Sequence, residues 1–238
     1  MTAESHVYRS MVVAVLVCAA AALLLSSSSR SRTATSATAL LLADNEGAIS
    51  GVITYVGSPP RRLKIDSSAD PVCSQKSPNL VVENNVVRRG KLANVFVYIK
   101  DGTTADGKKL SDLTFDVPST EVVLDQNGCR FVPHVLGIQA NQKLRITNSD
   151  PTQHNIHPTP RNNTEWNSSQ ANGAAPIFKS FTRAEVLIPV KCNQHPWMRA
   201  YIGVLRHPFT PSANLTVRLK LRMFRPERTH LLRGMKAA

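Results

Sequence analysis

From residue 47 onward, hydrophobic residues recur in short runs that are separated by turn residues. Lys143–Thr147 alternates polar and apolar side chains, as a strand with one buried face requires. Val95–Ile99 is rich in β-branched and aromatic residues and stops at an Asp-Gly turn. Similar runs are Val52–Val56, Leu80–Val87, Glu121–Leu124, Arg130–Val135, Lys143–Asn148, Ile177–Phe181, Glu185–Val190 and Ala200–Leu205. Short strands at this spacing predict an all-β fold, either an antiparallel sandwich or a barrel.

The strand-rich middle of the chain is predicted to form one domain. No stretch after residue 44 keeps a helical period over three turns. Residues 158–175 are polar and rich in Asn, Ser and Pro, which predicts a long surface loop inside the domain. About 160 residues are enough for a single hydrophobic core. We therefore predict one β domain over residues 44–207.

The beginning of the chain has a different character. Arg9 precedes an apolar run from Met11 to Leu25, which small residues follow. A positive start, an apolar stretch and an Ala-Thr-Ala sequence at 37–39 describe a secretory signal peptide, cut after Ala39 or Ala43. The run is shorter than the roughly 20 residues of a membrane span, although retention as an anchor stays open. We predict that residues 1–43 are a signal peptide and leader of a periplasmic or secreted protein.

The net charge of +13 is concentrated towards the other end. Residues 44–207 contain 19 Lys/Arg and 14 Asp/Glu, whereas residues 208–238 contain 7 and 1. A nucleic-acid binder carries its basic residues on the folded domain, so this distribution argues against that class. Leu215–Phe224 alternates apolar and basic residues and allows one edge strand, but Pro226 and the basic residues around it indicate a poorly structured tail. Such a tail either stays in solution or docks to acidic partners or a membrane surface.

Three cysteines remain once the leader is removed: Cys73, Cys129 and Cys192. An exported protein folds in an oxidising compartment, where two of them should pair. If Cys192 binds a metal, Cys73–Cys129 is the only intramolecular disulfide left. The alternative is that all three are buried thiols without a chemical role.

The segment Cys192–Met198 carries the most specific chemistry in the chain. It places a thiolate, an imidazole and a thioether within seven residues, at Cys192, His195 and Met198. Two histidines and one cysteine, with a weak axial methionine, form a blue-copper electron-transfer site. Pro196 stiffens the loop and removes one N–H near the sulfur. Because a thioether is a poor ligand for zinc, the predicted metal is copper.

A second histidine is available upstream, in the His-Asn-Ile-His sequence at 154–157. His154 follows the predicted strand Lys143–Asn148, where an edge loop can cover the cysteine loop. His157 competes for the same role three residues further on. Taken singly, each of these residues has an ordinary structural interpretation, because buried cysteines and methionines usually fill cores. His134 has no partner motif and is interpreted as structural.

The two stretches together resemble amicyanin-type cupredoxins. Cys-Asn-Gln-His-Pro-Trp-Met-Arg at 192–199 is similar to the copper loop of that family, C-x-x-H-P-F-M-R, which precedes a final strand. His-Asn-Ile-His at 154–157 is similar to its H-N-V-H, in which the first histidine is the ligand. The resemblance covers residues 143–204 and implies a Greek-key β-sandwich with one type 1 copper ion. The ligands that it implies are His154, Cys192, His195 and Met198.

The resemblance also implies several properties beyond the ligands. Asn155 would orient the two copper loops by hydrogen bonding. The protein would be a monomer that carries single electrons and would not be an enzyme. Its redox partners would dock briefly at an exposed edge of His195, close to Trp197, which belongs either to the core or to the docking patch. The longer front half, residues 44–130, looks like that of exported bacterial plastocyanin-like proteins, as does the stretch 123–135.

Two other functional classes stay open on the sequence alone. Cys192 could be a nucleophile that a histidine activates, but no oxyanion hole or orienting acid occurs at a recognisable spacing. Copper storage or delivery would use the same ligands as an electron carrier. The identity of the ligands does not separate these last two functions.

Overall fold

The computed structural model describes residues 46–104, 106–209, 217–222 and 235–237. All of them belong to one unit of the chain, Glu46–Ala238. The predicted signal peptide and leader, residues 1–43, lie outside the described residues, and the domain limits of 44–207 stay a prediction. Within the described ranges, no helix has the length and apolar character that a bilayer span needs.

The regular elements of the described residues are strands, apart from two short helices. The helices are α1 (Pro71–Lys76) and a 3-10 helix (Leu110–Asp112). The strands are β1 (Glu46–Gly51), β2 (Val87–Arg88), β3 (Lys91–Leu92), β4 (Val97–Ile99), β5 (Val122–Gln126), β6 (Phe131–Val132), β7 (Val135–Gln139), β8 (Leu144–Asn148), β9 (His154–Pro158), β10 (Ser168–Gln170), β11 (Ile177–Lys179), β12 (Glu185–Lys191), β13 (Arg199–Leu205), β14 (Val217–Arg222) and β15 (Met235–Ala237).

Two sheets enclose the main core. One has five strands in the order β10-β9-β12-β13-β7, and the other has four in the order β11-β8-β5-β6. A single cluster of buried residues joins Leu124 and Ile146 of the four-stranded sheet to Ile188 and Ile202 of the five-stranded sheet. Alternation places these residues on the inner faces, as in Leu144–Asn148, where Leu144 and Ile146 are buried. The predicted all-β sandwich is confirmed.

The spacing of the strands had predicted antiparallel pairing, but the two sheets are mixed. β13 pairs with β7, and β5 pairs with β8, in parallel register. The chain leaves the four-stranded sheet after β6, forms β7 in the other sheet and then returns as β8. A strand that returns after such a crossover can run in the same direction as its neighbour.

Two segments differ from their predicted structure. Val52–Val56 contributes only one isolated bridge, at Thr54. β10 lies within residues 158–175, which were predicted to be a surface loop, and its Gln170 is 1% exposed. The buried amide of Gln170 accepts a hydrogen bond from that of Gln126 at 2.8 Å. Its Nε2 donates to the carbonyls of Ile146 and Ala175. Because these bonds satisfy the buried amide of Gln170, polarity did not indicate exposure here.

The basic tail also contains more structure than predicted. β14 pairs with β1 over six residues, and β15 pairs with β4. The apolar–basic alternation in Leu215–Phe224 had indicated one edge strand, and β14 lies within it. Backbone hydrogen bonds to a partner strand stabilise a segment of this kind. The remaining residues of the tail beyond Phe209 lie outside the described ranges.

Residues 51–115, called here the front segment, carry few regular elements. Cys73 in α1 is joined to Cys129 by a disulfide with a Cα–Cα distance of 5.7 Å, and both residues are fully buried. This confirms the predicted pairing. Phe96 packs against the backbone of Gly203 in β13, where a Cβ atom would lie only 2.2 Å from the ring. The front segment is therefore fixed to the sandwich by one covalent link and by close packing.

Candidate metal centre

The loop between β12 and β13 brings three donor residues to the interior. Lys191 pairs with Arg199 at its base, so residues 192–198 form a closed turn. The N–H of Cys192 donates to the carbonyl of Met198 at 3.3 Å, and the N–H of Met198 donates to the carbonyl of His195 at 2.9 Å. These bonds turn the side chains inward, and Cys192, His195 and Met198 are 2%, 5% and 1% exposed.

His154 approaches the loop from the first residue of β9. Its side chain is fully buried, and its backbone lies opposite Gln170 of β10. β9 also pairs with β12, through His157 and Lys191. Because β12 runs directly into the cysteine loop, this pairing sets His154 beside Cys192. The predicted edge loop is therefore a strand, and it reaches the site through the sheet.

The three donors meet at one point. His154 Nδ1 lies 2.9 Å from His195 Nδ1, and Cys192 Sγ lies 3.6 Å from the same nitrogen of His195. One donor atom from each of the three residues falls within 4.8 Å of the others. Two stretches that are about 40 residues apart in sequence thus converge. This spacing is short enough for one ion with metal–ligand bonds of roughly 2.0 to 2.3 Å to reach all three atoms.

The outer nitrogen of each histidine is bound to a carboxylate. His154 Nε2 lies 3.0 Å from Asp150 Oδ2, and His195 Nε2 lies 2.8 Å from Asp70 Oδ2. A carboxylate only accepts, so each Nε2 carries the proton and donates it. Histidines that bind metals usually donate their second N–H to such an acceptor, which fixes the tautomer and the ring orientation. With Nε2 directed outward, Nδ1 is the ring nitrogen of each histidine that faces the other histidine.

This donor set fits a copper ion. Two Nδ1 lone pairs at 2.9 Å repel each other unless they share a cation, either a proton or a metal. The thiolate and two imidazoles are the in-plane donors of a type 1 copper site. Met198 belongs to the buried cluster of the sandwich, which places its thioether in the apolar surroundings of the loop. Its role as the axial ligand stays a prediction.

The ionisation of the cluster also favours a metal-binding sulfur. Burial opposes the thiolate of Cys192, but hydrogen bonds from His154, from the Asn155 backbone and from His195 outweigh it and lower the pKa of Cys192 to about 6. Burial also opposes the imidazolium of His154, but Asp150 and Cys192 outweigh it and raise the pKa of His154 to about 9. Both shifts favour the imidazolium–thiolate pair over the neutral imidazole and thiol. The surroundings of Cys192 therefore favour the anionic sulfur that a metal ligand requires.

Asn155 links the two loops, as the family resemblance implies. Its N–H donates to Cys192 Sγ at 3.5 Å, and its side-chain oxygen accepts from the N–H of Asn193 at 2.7 Å. Its amide nitrogen donates to Asn167 at 2.7 Å. The first two bonds hold the start of the cysteine loop against β9 and supply a hydrogen bond to the sulfur, and the third fixes the side-chain amide of Asn155.

The competing histidine and the tryptophan lie outside the three-donor cluster. His157 Nδ1 is 3.2 Å from Asn193 Oδ1, and its Nε2 is 2.6 Å from Glu165 Oε1. Trp197 is half-buried and donates from Nε1 to the carbonyl of Cys129 at 3.2 Å. Its ring centroid lies 5.1 Å from that of His195. Trp197 therefore packs between the disulfide and the histidine, with part of its surface exposed.

The prediction that one edge of the His195 ring is exposed is wrong. The ring is 5% exposed, because Asp70 of the front segment covers Nε2. The nearest opening is a shallow pocket of about 280 Å³, lined by Ala69, Asp70, Thr152, Gln153, Gln194, His195 and Trp197.

Sequence reasoning missed both carboxylates. A signal for Asp150 was present, since it precedes His154 by only four residues. Asp70 shows only the signature of a helix N-cap before Pro71, 125 residues away from its histidine. Its part in the site follows from the tertiary structure alone.

The chain is similar to several solved structures of copper proteins. The copper-containing nitrite reductase NirK from Thermus scotoductus matches at 19% identity and a TM-score of 0.33, over 36% of this chain and 22% of that one. A purple cupredoxin from Nitrosopumilus maritimus matches at 22% and 0.30, over 34% and 97%. Amicyanin from Paracoccus versutus matches at 18% and 0.32, over 47% and 98%.

No family model matches the chain, and no curated protein is similar to it. The solved structures are cupredoxins, as the sequence resemblance predicts, and the match spans less than a quarter of the nitrite reductase chain. At these TM-scores the likeness says nothing about the metal site.

Proposed function

We propose that this chain is an exported type 1 copper protein that carries single electrons between redox partners. The observation that carries the proposal is the convergence of His154 Nδ1, His195 Nδ1 and Cys192 Sγ within 4.8 Å. When bound there, copper supplies one-electron chemistry by cycling between Cu(I) and Cu(II). We propose Met198 as the fourth, axial ligand.

The protein residues contribute a rigid site. Both imidazoles are held by carboxylates, and the sulfur is held by the N–H of Asn155. Ligands that are fixed from outside move little when the charge of an ion between them changes. Little movement means little reorganisation, which favours fast electron transfer.

Burial of the donors supports this function over its alternatives. Cys192 is 2% exposed and belongs to the buried cluster of the sandwich, where its polar contacts are with His154, His195 and Asn155. A substrate therefore has no direct approach to the sulfur. A nucleophile would need that approach. A delivery protein would need to release its ion readily, whereas every donor here is enclosed. We therefore propose a carrier and not an enzyme.

Export and brief docking complete the proposal. The disulfide between Cys73 and Cys129 suits an oxidising compartment, in agreement with the predicted signal peptide and a periplasmic or secreted location. Redox partners would dock near the half-buried Trp197 and the exposed Gln194 and Pro196, which surround His195. Encounters of this kind bury little area.

The test is the visible and EPR spectrum of the copper-loaded protein. Charge transfer from Cys192 to copper should give intense red absorption and a blue colour. Cys192→Ala should abolish the colour completely, whereas His157→Gln, which changes a neighbouring histidine outside the cluster, should keep it. A colourless Cu(II)-loaded protein, or a Cys192→Ala variant that stays blue, would refute the proposal. Reversible one-electron titration would support a carrier. Ready loss of copper to a chelator would support a delivery protein.

A further inference from the structure

Asp70 connects two parts of the molecule through its two carboxylate oxygens. Oδ1 accepts from the N–H groups of Val72 and Cys73, at 2.8 and 3.0 Å, and so caps helix α1. Oδ2 accepts from His195 Nε2 at 2.8 Å and from the hydroxyl of Thr152 at 3.2 Å. The same side chain therefore ends a helix of the front segment and holds a histidine of the proposed copper site.

The backbone that carries Asp70 is held firmly. Cys73, three residues further on, is bonded to Cys129. The N–H of Cys129 donates to Asp150 Oδ2 at 2.7 Å, and Asp150 holds His154. Each carboxylate therefore accepts from one half-cystine N–H and from one histidine of the site. The disulfide fixes the distance between the two segments that carry these carboxylates.

The contact has two consequences for His195. Its Nε2 proton is directed to Asp70, so Nδ1 is left as the donor atom that faces Cys192. A half-turn of the ring would lose this bond and would turn Nδ1 away from the sulfur. The carboxylate also covers the edge of the ring, which leaves His195 5% exposed.

We propose that Asp70 is a positioning residue of the metal centre: its carboxylate holds His195 in the metal-binding orientation and closes the ring edge to solvent. The proposal rests on the copper-binding function proposed above. It assigns to the front segment a direct part in the site. Asp70 acts through His195 and does not itself reach the ion.

Three variants separate this role from helix capping. Asp70→Ser keeps an oxygen that caps helices well but is too short to reach His195. Asp70→Asn keeps the size of the side chain, yet one of its two contacts must then face an N–H₂ group, which cannot accept. Asp66→Asn is the matched control, because it removes the same charge from the same loop. Among the described residues, the Asp66 carboxylate accepts only from the nearby Ser68.

The readouts are histidine NMR, EPR and copper retention. In the Cu(I)-loaded protein, ¹⁵N-histidine spectra should show His195 protonated at Nε2, with slow exchange of that proton. In Asp70→Ser this exchange should become fast, the copper(II) EPR signal should change, and Cu(I) should pass to a chelator on the order of 10- to 100-fold more readily. The Asp66→Asn protein should behave as the wild type. Unchanged exchange, EPR and retention in Asp70→Ser would overturn the proposal.

Failure of this proposal is distinguishable from failure of the proposed function. If the wild type gives no red absorption with copper, the electron-carrier function is refuted. The Zn(II)-loaded protein then decides the role of Asp70, because the Nε2 proton of His195 is still observable by NMR. Slow exchange in the wild type that is lost in Asp70→Ser supports the positioning role, and equal exchange in the two proteins overturns it.

Discussion

The sandwich and the front segment are stabilised in different ways. The sandwich, residues 122–205, has one continuous cluster of buried residues that includes Cys192 and Met198. The front segment contributes to smaller clusters, such as Cys73 and Leu80 with Cys129. It is held by the disulfide, by Phe96 against Gly203, and by polar contacts.

The two regions contribute different things to the site: the position of the donor atoms and the orientation of His195. The sandwich core sets where the donor atoms lie, because strands β9, β12 and β13 are fixed by many apolar contacts. The front segment adds the carboxylate that orients His195 and covers its edge. Position therefore comes from the hydrophobic core, and orientation comes partly from a segment attached at a few points. Changes to those attachment points should affect the two regions unequally.

Removal of the disulfide should have the largest effect on stability. Replacing both Cys73 and Cys129 by alanine frees a link between residues 56 apart in sequence, and chain entropy predicts a loss of about 4 kcal/mol in the free energy of unfolding. Both cysteines are replaced so that no new thiol competes for copper. Denaturant unfolding measures the loss. Val123→Thr, at an exposed strand position of the sandwich, should change stability by less than about 0.5 kcal/mol.

Amide hydrogen exchange on the same variant tests the comparison itself. Amides of α1 and its surroundings should lose more protection than those of β12 and β13, since the sandwich keeps its core. Equal loss of protection in both regions would show that the two parts unfold as one unit.

Gly203→Ala should have the next largest effect. The added methyl would lie 2.2 to 2.6 Å from three ring atoms of the fully buried Phe96. The ring must move, and overpacking of this kind costs about 1–3 kcal/mol. Thermal and denaturant unfolding measure the cost, and Gly102→Ala is the control, because a methyl there meets nothing within 4 Å. A Gly203→Ala protein as stable as this control would show that the front segment is not packed against β13.

Asp150→Asn should affect both the stability of the protein and its dependence on pH. Asp150 accepts from Gly128, Cys129 and His154 and pairs with Lys76 at 2.8 Å. An amide in its place leaves at least one buried donor unpaired, at about 1–3 kcal/mol. Equilibrium unfolding at neutral pH measures this loss.

The pH profile follows from the sign of the shift. Burial opposes ionisation of Asp150, but the hydrogen bonds from His154 and Lys76 outweigh it, so its pKa lies well below the ordinary value. Its contribution to stability is therefore complete above about pH 4, the unfolded value, and is lost as the pH falls below that. The wild type should lose this contribution in acid, and Asp150→Asn should not. Parallel acid profiles would contradict the assigned bonds.

Local patterns in the sequence predicted a large part of this protein. Alternation in Lys143–Thr147 predicted β8, and the C-x-x-H-x-x-M spacing predicted a loop whose three side chains turn inward. Both depend on residues a few positions apart, because strand and tight-loop geometry repeats over short distances. The polar runs misled instead, since the burial of Gln170 depends on Gln126, 44 residues away.

The sequence by itself determined the all-β class, the candidate copper ligands and the pairing of Cys73 with Cys129. Only the tertiary structure decided that Asp70, 125 residues from His195, covers its ring edge, and that two strand pairs run parallel. The physical reason is that a lone aspartate before a short helix has the same local signature whether its second oxygen faces water or a histidine. Its partner is set by the packing of distant segments, and local patterns do not encode that packing.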